Sequence, residues 1–175
     1  PLHGALLPML DGMEALKLNV LHWHLTDSQA FPFGSQVDWR AAASADAAVL
    51  PSPPSCQPIR ILTGAPHDRP QALPQLPERG AFAPGLVYSL AEMRLVVREA
   101  RLRGIRVVPE LDMPAHTASW AHGMPEIVVA CPGRVAEDDE GLEHGVNKPA
   151  LHPLIEGTYD AVRALLSELA DVFPD

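Results

Sequence analysis

The sequence is short of positive charge. Lys and Arg total 13 against 22 Asp and Glu, a formal net charge of −9. Nucleic-acid binding needs clustered basic side chains to neutralise phosphates, so that class of partner is excluded. The same sign of charge excludes an anionic membrane surface. No apolar run reaches the ~18 residues that a spanning helix requires, so no membrane span is read. Cysteine is scarce as well: Cys56 and Cys131 are the only two in 175 residues. That excludes a disulfide scaffold and leaves open whether the two are paired or free thiols. Pro1–Leu10 lacks a basic segment ahead of an apolar one and contains Pro8, so it does not read as a secretory leader. With Pro1 in place of an initiator Met, the chain is expected to be an internal piece of a longer protein.

Proline is what the sequence has in excess, 19 residues in all. Many fall between Val37 and Pro74, beside an alanine-rich stretch at Ala41–Ala48. No period of 3.6 or 2 runs through 37–74. Proline removes backbone donors and alanine buries little, so this stretch is expected to be a disordered insertion within one domain.

On either side the patterning is regular. Leu6, Met9, Leu10, Met13 and Leu16 form a helical stripe, and Val20–Leu25 reads as a strand. Ser89 and Glu92 have the spacing of a capping box ahead of a helix with Met93, Val96, Val97 and Ala100 on one face. Arg101 and Arg103 suit its last turn, and Gly104 suits the position beyond its end. Ile105–Asp112 is a second strand. Strand, helix and strand in this order predict a parallel sheet, and so an α/β fold. Met113 to about Gly157 reads as a loop carrying the acidic run Glu137–Glu140, a solvated face. A last amphipathic helix follows, with Thr158 as its expected N-cap and Pro174 as its stop.

Both strands end in titratable residues: His22, His24 and Asp27 on the first, Glu110 and Asp112 on the second, with His116 just beyond. In parallel α/β folds, active sites gather at such strand ends. Period-2 alternation puts His22 with His24, and Glu110 with Asp112, on common faces. Three readings are open. Asp27 and His116 could pair and tune a catalytic acid. His22 and His24, with Asp27 and His116 nearby, have ligand types suited to a metal-dependent hydrolase. Or the histidines are satisfied in the core and the acids are solvated. Trp23, Trp39 and Trp120 are the only tryptophans, offering either core packing or a face on which a sugar stacks. Phe31-Pro32-Phe33 is a candidate pocket wall.

These residues resemble the family 20 glycoside hydrolases, the β-N-acetylhexosaminidases. The resemblance runs through Asp11-Gly12-Met13, Leu18–Asp27, Phe31-Pro32-Phe33, Pro77–Pro84 with Val87-Tyr88, Ala100–Thr117 and Val172–Asp175, all in order. It implies a partial (β/α)8 TIM barrel, of which this chain holds the second and third strands with flanking helices. The implied activity is removal of terminal N-acetylglucosamine or N-acetylgalactosamine from glycans by a substrate-assisted mechanism, without metal or cofactor. The resemblance makes Asp27 and His116 supports for a general acid, and Asp112, Glu110 and Trp120 substrate-binding candidates. It places the catalytic Asp-Glu pair just past Asp175, so the chain alone is expected to be inactive. A non-catalytic sugar-binding domain is a further reading. Cys131 resembles a disulfide-forming Cys. Ala115 stands where the family has Gly, and 37–74 has no counterpart. Homo-oligomerisation and a lysosomal, vacuolar or secreted location are family expectations.

Overall fold

A computed structural model describes residues 2–37, 57–58, 75–83, 85–130 and 149–174. Cys56, Cys131, Trp39, the acidic run at 137–140 and nearly all of 37–74 lie outside the described residues. The centre of the fold is a parallel pair, β1 (Val20–Thr26) and β5 (Arg106–Leu111), in register from Val20 opposite Arg106 to His24 opposite Glu110. Between them in the chain lies α3 (Leu90–Leu102), giving the expected βαβ order. Helix α1 (Leu6–Ala15) precedes β1, α2 (Gln75–Gly80) precedes α3, and α4 (Glu156–Val172) closes the chain.

Each element forms for a local reason. In β1, Leu21, Trp23 and Leu25 are buried while Val20, His22 and His24 face outward, the half-buried alternation of a strand. Helix α3 opens on a complete capping box: the Ser89 hydroxyl accepts from the Glu92 N–H, and the Glu92 carboxylate accepts from the Ser89 N–H at 2.9 Å. Its buried face is Met93, Val96 and Ala100, at helical spacing. Beyond Arg103, Gly104 adopts φ 69°, the left-handed conformation that ends a helix at little expense in glycine. Arg103 then ties α3 to α1, donating to Asp11 at 2.8 Å.

The core gathers Leu10 from α1, the inward row of β1, the apolar face of α3, Ile105 and Val107, and Ala161 and Leu165 of α4. Burying each large aliphatic side chain contributes roughly 1.5–3 kcal/mol. Trp23 meets Tyr88 and Phe173 edge-on, with centroids 5.1 and 6.1 Å away. Two small sheets complete the fold. β2 (Phe33–Gly34) pairs in parallel with β4 (Tyr88–Ser89), and β3 (Gln57–Pro58), β6 (Val128–Ala130) and β7 (Ala150–Leu151) run antiparallel.

Two local expectations are corrected. The stretch after Met113 is not one loop: it holds 3-10 turns at Ala118–His122 and Pro125–Ile127, then β6 and β7. Its apolar residues Trp120, Ala121, Met124 and Ile127 are buried in turns too short to show a period. Helix α4 starts at Glu156, with Ile155 rather than Thr158 at its N-cap. The Thr158 hydroxyl donates to the His152 carbonyl at 2.8 Å, tying the first turn to the preceding loop. Within the proline-rich stretch, Gln57–Pro58 is described and pairs antiparallel with Val129 and Ala130.

Candidate functional site

The titratable residues at the two strand ends form one cluster because of an irregularity in β1. His24 pairs with Glu110, yet Thr26 already pairs with Leu111, so two steps on β1 match one on β5. Strict alternation would put Asp27 on the apolar side with Trp23 and Leu25. The extra residue turns Thr26 inward, where it is buried, and brings Asp27 round to the side of His24. His24 Nε2 then lies 3.6 Å from Asp27 Oδ2 and donates to the Thr26 carbonyl at 2.9 Å.

His116 is delivered by the loop after β5. Thr117 donates its hydroxyl to the Pro114 carbonyl at 3.2 Å, and the Leu151 N–H donates to the same carbonyl at 2.7 Å. The left-handed residue of this turn is His116, at φ 58°, and not Ala115. Alanine at position 115 therefore brings no left-handed strain, and the departure from glycine is accommodated. His116 Nδ1 lies 2.8 Å from Asp27 Oδ1 and 3.3 Å from Asp112 Oδ2. Asp27 and His116, which are 89 residues apart in sequence, are thus in direct contact.

Glu110 sits on the other side of His24. It contacts His22 directly and approaches His24 Nδ1 at 3.8 Å. The expected faces hold: His22 and His24 share a side of the sheet with Glu110 and Asp112, Asp112 Oδ2 lying 4.0 Å from His24 Nε2. Burial would raise the Asp27 carboxyl's proton affinity. The Ser28 N–H at 2.6 Å, the His116 hydrogen bond and the neighbouring imidazoles outweigh it and hold Asp27 below the ordinary aspartate value.

Trp120 is placed differently from the expected sugar platform. Its side chain is fully buried, edge-to-face with Phe31 at 5.2 Å, and it offers no open face to a ring. Phe31 and Phe33 are likewise core residues rather than a pocket wall. One residue missed in the sequence joins the site: buried Ser119 donates its hydroxyl to the Asp27 carbonyl at 2.6 Å. A lone serine in a loop carries no signal for such a contact.

The donor set also has the chemistry of a cation site. Asp27, Asp112 and His116 form one group whose ligand atoms lie within 4.8 Å of one another, and His24, Glu110 and Asp112 form a second.

The family model described as glycosyl hydrolase family 20, catalytic domain, matches residues 4–175. The human beta-hexosaminidase subunit beta is 30% identical over 170 residues, covering 97% of this chain and 23% of that protein. Beta-hexosaminidase A of Caenorhabditis elegans is 32% identical over 166 residues, covering 95% of this chain and 22% of the relative. The chain thus spans about a quarter of the length of the curated relatives it matches. The crystal structure of Flavobacterium johnsoniae chitobiase superposes with a TM-score of 0.64 at 26% identity, over 99% of this chain and 20% of that one. Patterning, topology and these matches together make the chain a member of glycosyl hydrolase family 20, built from part of its catalytic domain.

Proposed function

We propose that the protein carrying this chain is a β-N-acetylhexosaminidase, releasing terminal N-acetylglucosamine or N-acetylgalactosamine from glycans. The observation that carries the reading is the 2.8 Å contact between Asp27 and His116 at the ends of adjacent parallel strands. In this reading β1 and β5 are the second and third strands of a (β/α)8 barrel, and the cleft between their ends is the floor of the sugar pocket. The sugar's own acetamido oxygen attacks the anomeric carbon, oriented by an aspartate, while the adjacent glutamate protonates the leaving oxygen.

The residues of this chain serve that acid. When His116 Nδ1–H donates to Asp27, the tautomer is set and Nε2 is turned to receive a hydrogen bond from a neighbouring carboxylic acid. The Asp27 charge, held below its ordinary proton affinity, stabilises the imidazolium if the proton moves across. Asp112 and Glu110 extend the negative wall of the cleft and are proposed to receive sugar hydroxyls. The Asp-Glu pair is assigned to the strand following α4, so these 175 residues alone are proposed not to turn over. A lysosomal, vacuolar or secreted location and assembly into homo-oligomers belong to the same family reading. Among the described residues no helix is long and apolar enough to cross a membrane.

The test compares two substrates on the whole protein. An aryl N-acetyl-β-glucosaminide is expected to be cleaved, and the aryl β-glucoside, which lacks the acetamido group, to be left intact. Equal cleavage of both overturns the substrate-assisted reading. Sugar binding with no cleavage of either overturns the enzymatic one.

A further inference from the structure

We propose that Asp27, Asp112 and His116 also form a binding site for a zinc-class divalent cation, and that the ion is an inhibitor rather than a cofactor. The site follows from ligand geometry. Zinc bound tetrahedrally at about 2.0–2.1 Å spaces its ligand atoms about 3.3–3.4 Å apart. His116 Nδ1 already stands 3.3 Å from Asp112 Oδ2 and 2.8 Å from Asp27 Oδ1. All three ligand atoms fall within 4.8 Å of one another. Two of the trio's members are fixed near strand ends and the third by a pinned turn, so a short side-chain adjustment closes it on an ion.

The surroundings favour the same outcome. Asp27 is oriented by the Ser28 N–H on Oδ1 at 2.6 Å. Its side chain is 34% exposed, Asp112 29% and His116 38%, so an ion from solvent reaches all three. The fourth position is filled by water or by His24. His24 Nε2 is 3.6 Å from Asp27 Oδ2 and 4.0 Å from Asp112 Oδ2, and it becomes a ligand by giving up the Thr26 carbonyl. Glu110, 3.8 Å from the other ring nitrogen of His24, then stands behind it as a carboxylate stands behind many metal-ligating histidines. One imidazole with two carboxylates suits zinc, whereas magnesium demands near-ideal octahedral oxygen geometry and retains its waters.

The consequence is a contest between an ion and a proton. Zinc takes the His116 Nδ1 electron pair that otherwise holds the hydrogen donated to Asp27; the ring stays neutral, the proton leaving Nδ1 being replaced from solvent on Nε2, which then donates and no longer accepts. The Asp27–His116 pair then cannot orient or charge-support a neighbouring acid. The binding site needs none of the catalytic reading to be true, because it is detected by metal binding alone. Inhibition rests on the hexosaminidase reading and is read as loss of aryl N-acetylglucosaminide cleavage by the whole protein when zinc is added, unimpaired cleavage at saturating zinc overturning it.

The test titrates zinc, and then Co²⁺ as a spectroscopic stand-in, into the whole protein that carries this chain. One saturable equivalent is expected, with the visible bands of tetrahedral Co²⁺ and no near-ultraviolet thiolate band. D112N and H116N are each expected to weaken binding at least tenfold; Asn is chosen at 116 because it tolerates the left-handed conformation. H122A removes an exposed histidine outside the cluster and is expected to change nothing. Circular dichroism confirms that the variants remain folded. No saturable binding, a thiolate band showing Cys56 or Cys131 as ligands, or full affinity in D112N and H116N overturns the proposal. Failure of aryl glycoside cleavage in the whole protein would instead count only against the hexosaminidase reading.

Discussion

The Ser119 hydroxyl donates to the Asp27 carbonyl at 2.6 Å, joining the end of β1 to the 3-10 turn that follows the His116 loop. The same carbonyl accepts the Ala30 N–H at 3.2 Å, so Asp27 is held by its backbone as well as by its side chain. S119A leaves the Ala30 bond and removes the buried hydroxyl. A hydrogen bond of this kind contributes about 1 kcal/mol net. The expected result is a stability loss of that size, read from the denaturant midpoint, with an unchanged denaturant slope. S119T, which keeps the hydroxyl, is expected to lose less.

The Asp27–His116 pair predicts a kinetic outcome in the whole protein. D27N keeps the shape of the side chain but removes the charge that supports His116 and, through it, the acid. A shift of about one unit in the acid's proton affinity changes its protonated fraction by up to tenfold. A fall in kcat of up to about tenfold is therefore expected, with KM moving much less. The pH profile of kcat should shift as well. An unchanged profile would show that Asp27 matters only for folding.

Much of this site was legible in the sequence, and the limits have physical causes. The alternation of Leu21, Trp23 and Leu25 with His22 and His24, and the pairing of Ser89 with Glu92, are local signals that survive folding unchanged. The bulge between His24 and Thr26 left no mark, because one extra residue in a ladder is defined only by the partner strand. Trp120 illustrates the ambiguity of aromatics: the same indole suits a sugar ring or a core, and only packing against Phe31 decides. Thr158 is not the N-cap because the helix begins two residues before it, at Glu156, which leaves its hydroxyl free to donate to the His152 carbonyl.

Helix α3 supplies a stability test independent of the site. S89A deletes the hydroxyl that accepts the Glu92 N–H, and the loss of such a cap costs about 1 kcal/mol. G104A places a side chain at φ 69°, where an L-residue costs roughly 1–2 kcal/mol. Nothing lies within 4 Å of the added methyl, so the penalty there is conformational rather than steric. Both variants should melt earlier than the parent. Residues 89 and 104 flank opposite ends of α3 and share no partner, so the double mutant should show a nearly additive loss.

The lowered proton affinity of Asp27 gives a pH dependence with a definite sign. The folded value lies below the unfolded one, so Asp27 stabilises the fold fully at pH above about 3.9, the ordinary aspartate value. That contribution fades as pH falls through the lower folded value, because protonation removes the charge that accepts from Ser28 and His116. The group is about one-third exposed, so solvent screens part of the effect. Carbon-detected NMR of the Asp27 carboxyl should place its midpoint below the ordinary aspartate range. H116N removes both the hydrogen bond and the nearby imidazole, and should move that midpoint upward while the Ser28 N–H keeps part of the depression. A midpoint unmoved by H116N would mean that the backbone turn alone orders Asp27 and that the 2.8 Å contact has no energetic weight.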